Sequence, residues 1–214
     1  MTAVKICCIQ TLDEARRAFA AGAGAVGLVG EMPSGPGPIP DTRIAEIAAA
    51  TDGLTVLLTA ETQADHLIDH VARAGTPAVQ LVDRVAPRDI DALRDAHPET
   101  VLIQAIHVNG PSARDSARDV WGRVDMLLLD SGSPNKAVKE LGGTGRVHDW
   151  RVSADIVRES PVPVWLAGGL TPDNVAEAIR TVRPHGVDVC SGLRPHGALD
   201  EGLLSRFMAE VARA

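Results

Sequence analysis

Two side chains in the sequence have types and positions suited to proton transfer. Cys7 lies in the first apolar run of the chain, and Asp130 ends the sixth. A thiolate on one side of a site and a carboxylic acid on the other can remove a proton from a substrate carbon and deliver a proton elsewhere. Taken singly, a strand cysteine is often a small apolar core residue, and an aspartate after a strand often forms a turn or caps a helix. The catalytic interpretation therefore depends on whether the fold brings the two residues into one site.

Glycine-containing segments after the last two apolar runs are suited to binding an anion. Gly168 and Gly169 follow the seventh run, and Ser191 and Gly192 follow the eighth. Paired glycines let backbone N–H groups approach a phosphate, and a short helix after an eighth strand adds the positive end of its dipole. The glycines alone would also suit tight turns, but their joint position after the seventh and eighth strands of a barrel favours phosphate binding.

A third glycine-dense segment follows Asp130 and contains Gly143, Thr144 and Gly145. Such a loop can close over a ligand or contribute backbone donors to it, and we count these three residues among the candidate substrate-binding positions. The alternative is a solvated surface loop.

Eight short apolar runs position these residues. Each run is rich in Val, Ile and Leu and lacks strict alternation, which is typical of parallel strands buried on both faces. Amphipathic segments with helix start signals, such as the capping box Thr11-Leu12-Asp13-Glu14, lie between the runs. The pattern predicts an α/β protein, a single-domain TIM (β/α)8 barrel over residues 1–214, with a doubly wound open sheet as the alternative. The runs are residues 4–9, 25–29, 54–59, 78–81, 101–107, 126–130, 164–167 and 186–190.

Composition and charge exclude several other classes of function. The net charge is −7, with Lys+Arg 21 against Asp+Glu 28, aromatic residues make up 2%, and no stretch concentrates basic residues, so nucleic acid is not an expected partner. No apolar stretch approaches the ~20 residues needed to cross a bilayer, so no membrane partner is expected. Three cysteines give no disulfide framework, and the N-terminus has no secretion signal, which predicts a cytoplasmic protein.

A metal site is not expected either. The adjacent cysteines Cys7 and Cys8 point to opposite sides of a strand. Together with His107, His148 or His196 they match none of the usual zinc spacings.

A series of motifs extends along essentially the whole chain. In chain order they are Lys5-Ile6-Cys7, Val79-Gln80-Leu81, Leu128-Leu129-Asp130-Ser131, Gly142-Gly143-Thr144-Gly145, Asp149-Trp150, Leu166-Ala167-Gly168-Gly169-Leu170, Asn174-Val175, Gly186-Val187-Asp188-Val189 and Ser191-Gly192. The series resembles the phosphoribosylanthranilate isomerase family of tryptophan biosynthesis and is specific to that family as well as to the barrel.

The resemblance implies an Amadori rearrangement of an N-linked ribose phosphate, in which a Schiff base forms and a proton moves from C2 toward C1. Cys7 matches the general base of the family, Asp130 its general acid, and Asp188 a substrate-binding carboxylate. It implies a small phosphosugar substrate and no cofactor, and we expect a monomer or homodimer. Arg194, which follows the Ser-Gly motif of the eighth strand, is included among the candidate substrate- or phosphate-binding residues.

Several positions depart from the family pattern. Cys8 stands where the family has glycine, the segment 34–40 lacks the arginine of a Ser-Pro-Arg motif that holds the anthranilate carboxylate, and Arg194 stands where a glutamate is usual. Val82-Asp83 replaces a His-Gly pair, and Gln104 takes the place of a lysine. Arg43 or Arg194 would replace the missing arginine only if the fold brings it there. These departures leave open an isomerase acting on another amine, or a barrel that binds a phosphorylated ligand without isomerase activity.

Overall fold

Eight parallel strands form a closed barrel in the part of the chain that the computed structural model describes, residues 2–33, 35, 37–132 and 148–214. Each strand pairs with the next along the chain, and β8 pairs back with β1. The predicted TIM barrel is confirmed, and the open sheet is excluded because the first and last strands are joined. The strands are β1 (Ala3–Ile6), β2 (Ala25–Val29), β3 (Leu54–Thr59), β4 (Ala78–Leu81), β5 (Val101–His107), β6 (Met126–Asp130), β7 (Val164–Leu166) and β8 (Gly186–Val189).

Helices alternate with these strands and surround the barrel. A 3₁₀ turn at Ser191–Leu193, called here the β8 turn, stands where the sequence predicts a short helix after β8. The α-helices are α1 (Leu12–Ala20), α2 (Asp41–Ala49), α3 (Ala64–Ala74), α4 (Pro87–Ala96), α5 (Ala113–Arg118), α6 (Trp150–Glu159), α7 (Val175–Val182) and α8 (Glu201–Arg213). None of the helices in the described ranges is long and apolar enough to span a membrane. The single domain over residues 1–214 stays a prediction.

The apolar side chains form two concentric layers. One cluster joins the outward faces of the strands to the helices and includes Ile6, Leu129 and Phe207. The other contains strand and loop residues but no helix residue, including Cys7 and Leu128, and fills the barrel interior. Side chains two residues apart on a strand share a face. Residues that continue the inward face past a strand therefore end at the barrel mouth.

Helix α1 begins with the predicted cap, although the capping box closes differently. The Glu14 N–H donates to Thr11 Oγ1 at 3.1 Å, as expected of an N-cap threonine. The Glu14 carboxylate accepts instead from the N–H of Gln10 at 3.0 Å, one residue before the cap. Glu14 is thus bound to the loop between β1 and α1, a contact that bears on the site.

Candidate active site

Cys7 and Asp130 both belong to the inward face at the carboxyl ends of their strands. Cys7 directly follows β1, is 6% exposed and packs in the interior cluster. Asp130 is the last residue of β6, two positions beyond the inward-facing Leu128, and is 8% exposed. The barrel therefore places the predicted base and the predicted acid at the same mouth, on β1 and β6.

The surroundings of Asp130 favour its protonated form. Burial raises the pKa of the Asp130 carboxyl, and the nearby charge of Asp188 adds to the rise. The hydrogen bond that the Ser131 N–H donates to Asp130 Oδ1 at 2.6 Å acts in the opposite direction, but the pKa remains above its usual value. A carboxyl with a raised pKa suits the role of a general acid.

A buried ion pair lies deeper in the barrel. Lys5, which precedes Cys7 on the same face, places Nζ 3.0 Å from Asp188 Oδ2 and donates to Gln80 Oε1 at 2.7 Å. Asp188 Oδ1 is buried and has no hydrogen-bond partner among the described residues. Burial raises the pKa of Asp188, although Lys5 partly offsets this effect. One carboxylate oxygen therefore stays available to a hydroxyl of a ligand.

Cys8 has a backbone conformation that the family pattern assigns to glycine. Its φ is +60°, in the left-handed region that is costly for a residue with a β-carbon. Hydrogen bonds with the sulfurs of Cys190 and Cys7, together with burial, raise the pKa of the Cys8 thiol well above its usual value. The Cys8 side chain is thus held as a thiol.

The loop after β7 and the β8 turn pack directly against each other. Gly168 and Gly169 have φ values of +86° and +65°, which glycine adopts without strain. Their N–H groups have no hydrogen-bond partner among the described residues. A β-carbon added to Gly192 would lie 2.0 Å from the carbonyl oxygen of Leu170, so only glycine permits this approach. Gly168, Gly169, Ser191 and Gly192 are therefore brought together, as the sequence predicts.

Arg194 pairs with a glutamate of the first helix. Arg194 Nη1 donates to Glu14 Oε1 at 3.0 Å and Nη2 donates to Glu14 Oε2 at 2.9 Å, with both side chains buried. Arg43 lies on α2 with half of its side chain exposed, 3.3 Å from Glu46. Arg194 is thus held by Glu14, and Arg43 lies on the surface of α2, so no contact among the described residues puts either arginine in the place of the family's missing one.

Gln104 also lies outside the barrel mouth. It alternates with the inward-facing Ile103 and Ala105, and its Nε2 donates to the carbonyl oxygens of Leu81 and Asp83 at 3.0 and 2.8 Å. A cavity of about 330 Å³ adjoins it, lined by residues of β5, of α5 and of the loops near them. Gln104 therefore supports the end of β4 from the outer side and does not take the place of a lysine in the site.

Three predicted site residues lie outside the described part of the chain, and two residues near the site were not predicted to belong to it. Gly143, Thr144 and Gly145 fall within residues 133–147, which the structure does not describe. No role in the site is predicted for Lys5, and Glu14 is predicted only as part of a capping box, although a lysine inside an apolar strand is itself a signal of a buried partner. In the described ranges, no group of three His, Cys, Asp or Glu side chains is arranged to hold a metal ion.

The fold and the site define an α/β barrel protein with an acid and a thiol at the carboxyl ends of its strands. The family described as N-(5'-phosphoribosyl)anthranilate (PRA) isomerase matches residues 4–210. An N-(5'-phosphoribosyl)anthranilate isomerase of Haloferax volcanii is 38% identical over 218 residues, covering 100% of this chain and 95% of the relative. The chain belongs to the phosphoribosylanthranilate isomerase family, which confirms the resemblance seen in the sequence.

Solved structures agree with this family. The phosphoribosyl anthranilate isomerase of Thermococcus kodakaraensis superposes with a TM-score of 0.82 at 30% identity, with 100% of both chains covered. A phosphoribosyl anthranilate isomerase in complex with reduced 1-(o-carboxyphenylamino)-1-deoxyribulose 5-phosphate has a TM-score of 0.80 at 25% identity, again with 100% of both chains covered. That complex holds a phosphorylated analogue of an Amadori product.

Proposed function

We propose that this protein isomerises N-(5'-phosphoribosyl)anthranilate to the corresponding 1-amino-1-deoxyribulose 5-phosphate by an Amadori rearrangement. The observation that carries the proposal is the placement of Cys7 and Asp130 on the inward face at the same end of the barrel. No cofactor is needed, because the reaction only moves protons and electron pairs within the substrate.

The two side chains have complementary roles. Asp130 donates its proton to the ring oxygen while the bond from that oxygen to C1 breaks and the amine nitrogen forms a double bond to C1. The Cys7 thiolate then removes the proton from C2, and the electron pair moves toward the nitrogen to give an enol. C1 then takes up the proton held by the Cys7 thiol, and the enol hydroxyl gives its proton to the Asp130 carboxylate, which yields the ketone and returns both side chains to their initial protonation states. The raised pKa of Asp130 supports its role as the initial donor.

The loops after β7 and β8 are the proposed substrate-binding loops. The free N–H groups of Gly168 and Gly169, with Ser191 and Gly192 beside them, would hold the phosphate. The unpartnered Oδ1 of Asp188 would accept a hydrogen bond from a ribose hydroxyl. Gly143, Thr144 and Gly145 stay predicted contributors to the same substrate site.

Anthranilate is the proposed amine. Relatives that match over the full length carry the phosphoribosylanthranilate name, and no structural observation favours another amine or a barrel without activity. The carboxylate of anthranilate would be bound without the arginine of the family's Ser-Pro-Arg motif. We further propose a small-molecule partner only, a monomeric or homodimeric state and a cytoplasmic location.

Steady-state turnover of phosphoribosylanthranilate tests the function and the roles together. We expect Cys7→Ser and Asp130→Asn each to lower kcat by about 10²–10⁴-fold while leaving the affinity for inorganic phosphate nearly unchanged. Asp119→Asn is the matched control, since Asp119 is a half-exposed aspartate that pairs with Arg84 and has no role in the proposed site. Absence of turnover by the unmodified protein would overturn the substrate, and unchanged kcat in both variants would overturn the mechanism.

A further inference from the structure

The ion pair between Glu14 and Arg194 joins two segments that frame the site. Glu14 lies in the first turn of α1, and Arg194 directly follows the β8 turn. The pair is bidentate, with both nitrogen–oxygen distances at 2.9–3.0 Å, and the side chains are 7% and 4% exposed. A bidentate arginine–carboxylate contact fixes orientation as well as distance.

Backbone groups of both segments also bond to this pair or to its neighbours. Glu14 Oε2 accepts from the N–H of Gln10 at 3.0 Å, in the loop that begins at Cys7. Glu14 Oε1 accepts from the N–H of Leu199 at 3.1 Å. The Arg194 N–H donates to the carbonyl oxygen of Ser191 at 3.1 Å. A chain of bonds thus runs from the loop after the base to the turn that would bind the phosphate.

Glycine packing makes the β8 turn sensitive to small displacements. Gly192 lies against Leu170 with no room for a β-carbon, so a shift of the turn also shifts the loop that carries Gly168 and Gly169. The family pattern has a glutamate where this chain has Arg194, so the contact with Glu14 is a feature of this chain rather than of that pattern.

We propose that Arg194 is a positioning residue, which acts through Glu14 to hold the β8 turn in the arrangement that binds the substrate phosphate. The proposal rests on the proposed function, because it takes the β7 loop and the β8 turn as the phosphate site. This positioning role differs from the direct contact with substrate or phosphate that the sequence position of Arg194 suggests. The distinction is testable, because positioning requires Glu14 whereas direct contact does not.

The experiment compares Arg194→Gln with Glu14→Gln in the full chain. Calorimetric titration with inorganic phosphate gives a Kd, and turnover of phosphoribosylanthranilate gives KM and kcat. We expect both variants to raise the phosphate Kd and the KM by about tenfold, with a smaller fall in kcat, because the anchor is displaced while the acid and base remain. We expect Arg194→Lys, which keeps the charge but loses the planar fork, to fall between the unmodified protein and Arg194→Gln.

Arg17→Gln is the matched control, since Arg17 also ties α1 to a distant segment, pairing with Glu201 of α8 at 3.0 Å in an exposed position. We expect this control to leave the phosphate Kd unchanged.

A raised Kd in Arg194→Gln with an unaltered or lowered Kd in Glu14→Gln would overturn positioning in favour of direct contact. Unaltered Kd and KM in both variants, with only a lower melting temperature, would show a purely structural pair. If the unmodified protein binds phosphate but does not isomerise phosphoribosylanthranilate, the proposed function fails, while the phosphate titrations still decide the role of Arg194. If Arg194→Gln does not fold, the phosphate Kd of Glu14→Gln alone decides whether the pair positions the β8 turn.

Discussion

Two ion pairs among the described residues have both partners buried, and they differ in how completely the carboxylate is bound. In the barrel interior, Asp188 contacts Lys5 through one oxygen and leaves the other without a partner. At the edge of the site, both oxygens of Glu14 accept hydrogen bonds from Arg194 and from backbone N–H groups. The pKa values diverge accordingly: burial raises that of Asp188, whereas hydrogen bonds outweigh burial and lower that of Glu14.

The difference distinguishes the Lys5–Asp188 pair, which can accept a hydrogen bond from a ligand, from the Glu14–Arg194 pair, which fixes the local structure. A buried acceptor without a partner costs about 1–3 kcal/mol, and a ligand that donates to it recovers that cost on binding. A carboxylate with all its bonds made offers a ligand nothing but contributes to a fixed geometry. Asp188 has the first character and Glu14 the second.

The largest effect is expected from Lys5→Met, which leaves Asp188 buried without its cation. Removal of one partner of a buried pair costs about 3–5 kcal/mol of unfolding free energy, and we expect turnover to be lost as well. Urea unfolding measures the stability, and the phosphoribosylanthranilate assay measures the turnover.

The double variant Lys5→Met with Asp188→Asn is the control for this prediction. It removes both charges, so we expect it to recover at least half of the lost stability but none of the turnover. A double variant as unstable as Lys5→Met would contradict the assignment of the loss to an uncompensated charge.

A medium effect is expected from Glu14→Gln, and it depends on pH. The usual pKa of Glu14 is 4.5 and its pKa in the folded protein is lower, so the unfolded chain binds the proton more tightly. The stabilisation by Glu14 is therefore present above pH 4.5 and is lost as the pH falls through the lower, folded value. We expect the unmodified protein to exceed Glu14→Gln by about 1.5–3 kcal/mol at neutral pH and the difference to shrink in acid.

Unfolding curves at a series of pH values check this prediction, and Asp188→Asn gives a comparison of opposite sign. Because the pKa of Asp188 is raised above its usual 3.8, the unmodified protein should gain stability relative to Asp188→Asn as the pH falls through the raised, folded value. Parallel curves for the unmodified protein and Glu14→Gln would show that Glu14 is not the titrating group.

The smallest effect is expected from Cys8→Gly, at a position that lies between the two pairs. Glycine relieves about 1–2 kcal/mol of left-handed strain, but it gains unfolded-state entropy and loses a buried thiol, so the net change should stay within about 1 kcal/mol. Thermal unfolding and the turnover assay measure the outcome. A loss of turnover beyond about tenfold would mean that Cys8 takes part in the chemistry, since it would remove at least 1.4 kcal/mol of transition-state stabilisation.

Most of the fold could be predicted from hydrophobic runs, and the errors have a common cause. Strands β2 to β6 have the predicted bounds, whereas β1 ends at Ile6 and not at residue 9. Cys7, Cys8 and Ile9 continue the apolar run because all three are buried, and the N–H groups of Cys7 and Ile9 still donate to carbonyl oxygens of β8 and β2 just beyond the last residue of β1. An apolar run reports burial, and burial continues past the end of a strand wherever a loop folds inward.

The site could be predicted only where local sequence decides it. Cys7, Asp130 and the glycines after β7 and β8 are placed by strand ends, which the runs locate. The partner of Arg194 could not be found this way, because Glu14 lies 180 positions earlier in the chain. Which oxygen of Asp188 lacks a partner likewise depends on the direction from which Lys5 approaches it, and the sequence pattern does not specify that direction.

The pairing of β1 with β8 also means that the barrel can close only after β8 has been synthesised. Proteins are made at about 5–20 residues per second, so roughly 10–40 s separate the emergence of Glu14 from that of Arg194. During this interval Cys7 stands at an unpaired strand edge, since the N–H that it later donates to Val189 has no acceptor yet. The half of the site that holds the base is therefore made first and is the last to be enclosed, which leaves its strand edge open to other nascent strands until β8 has been made.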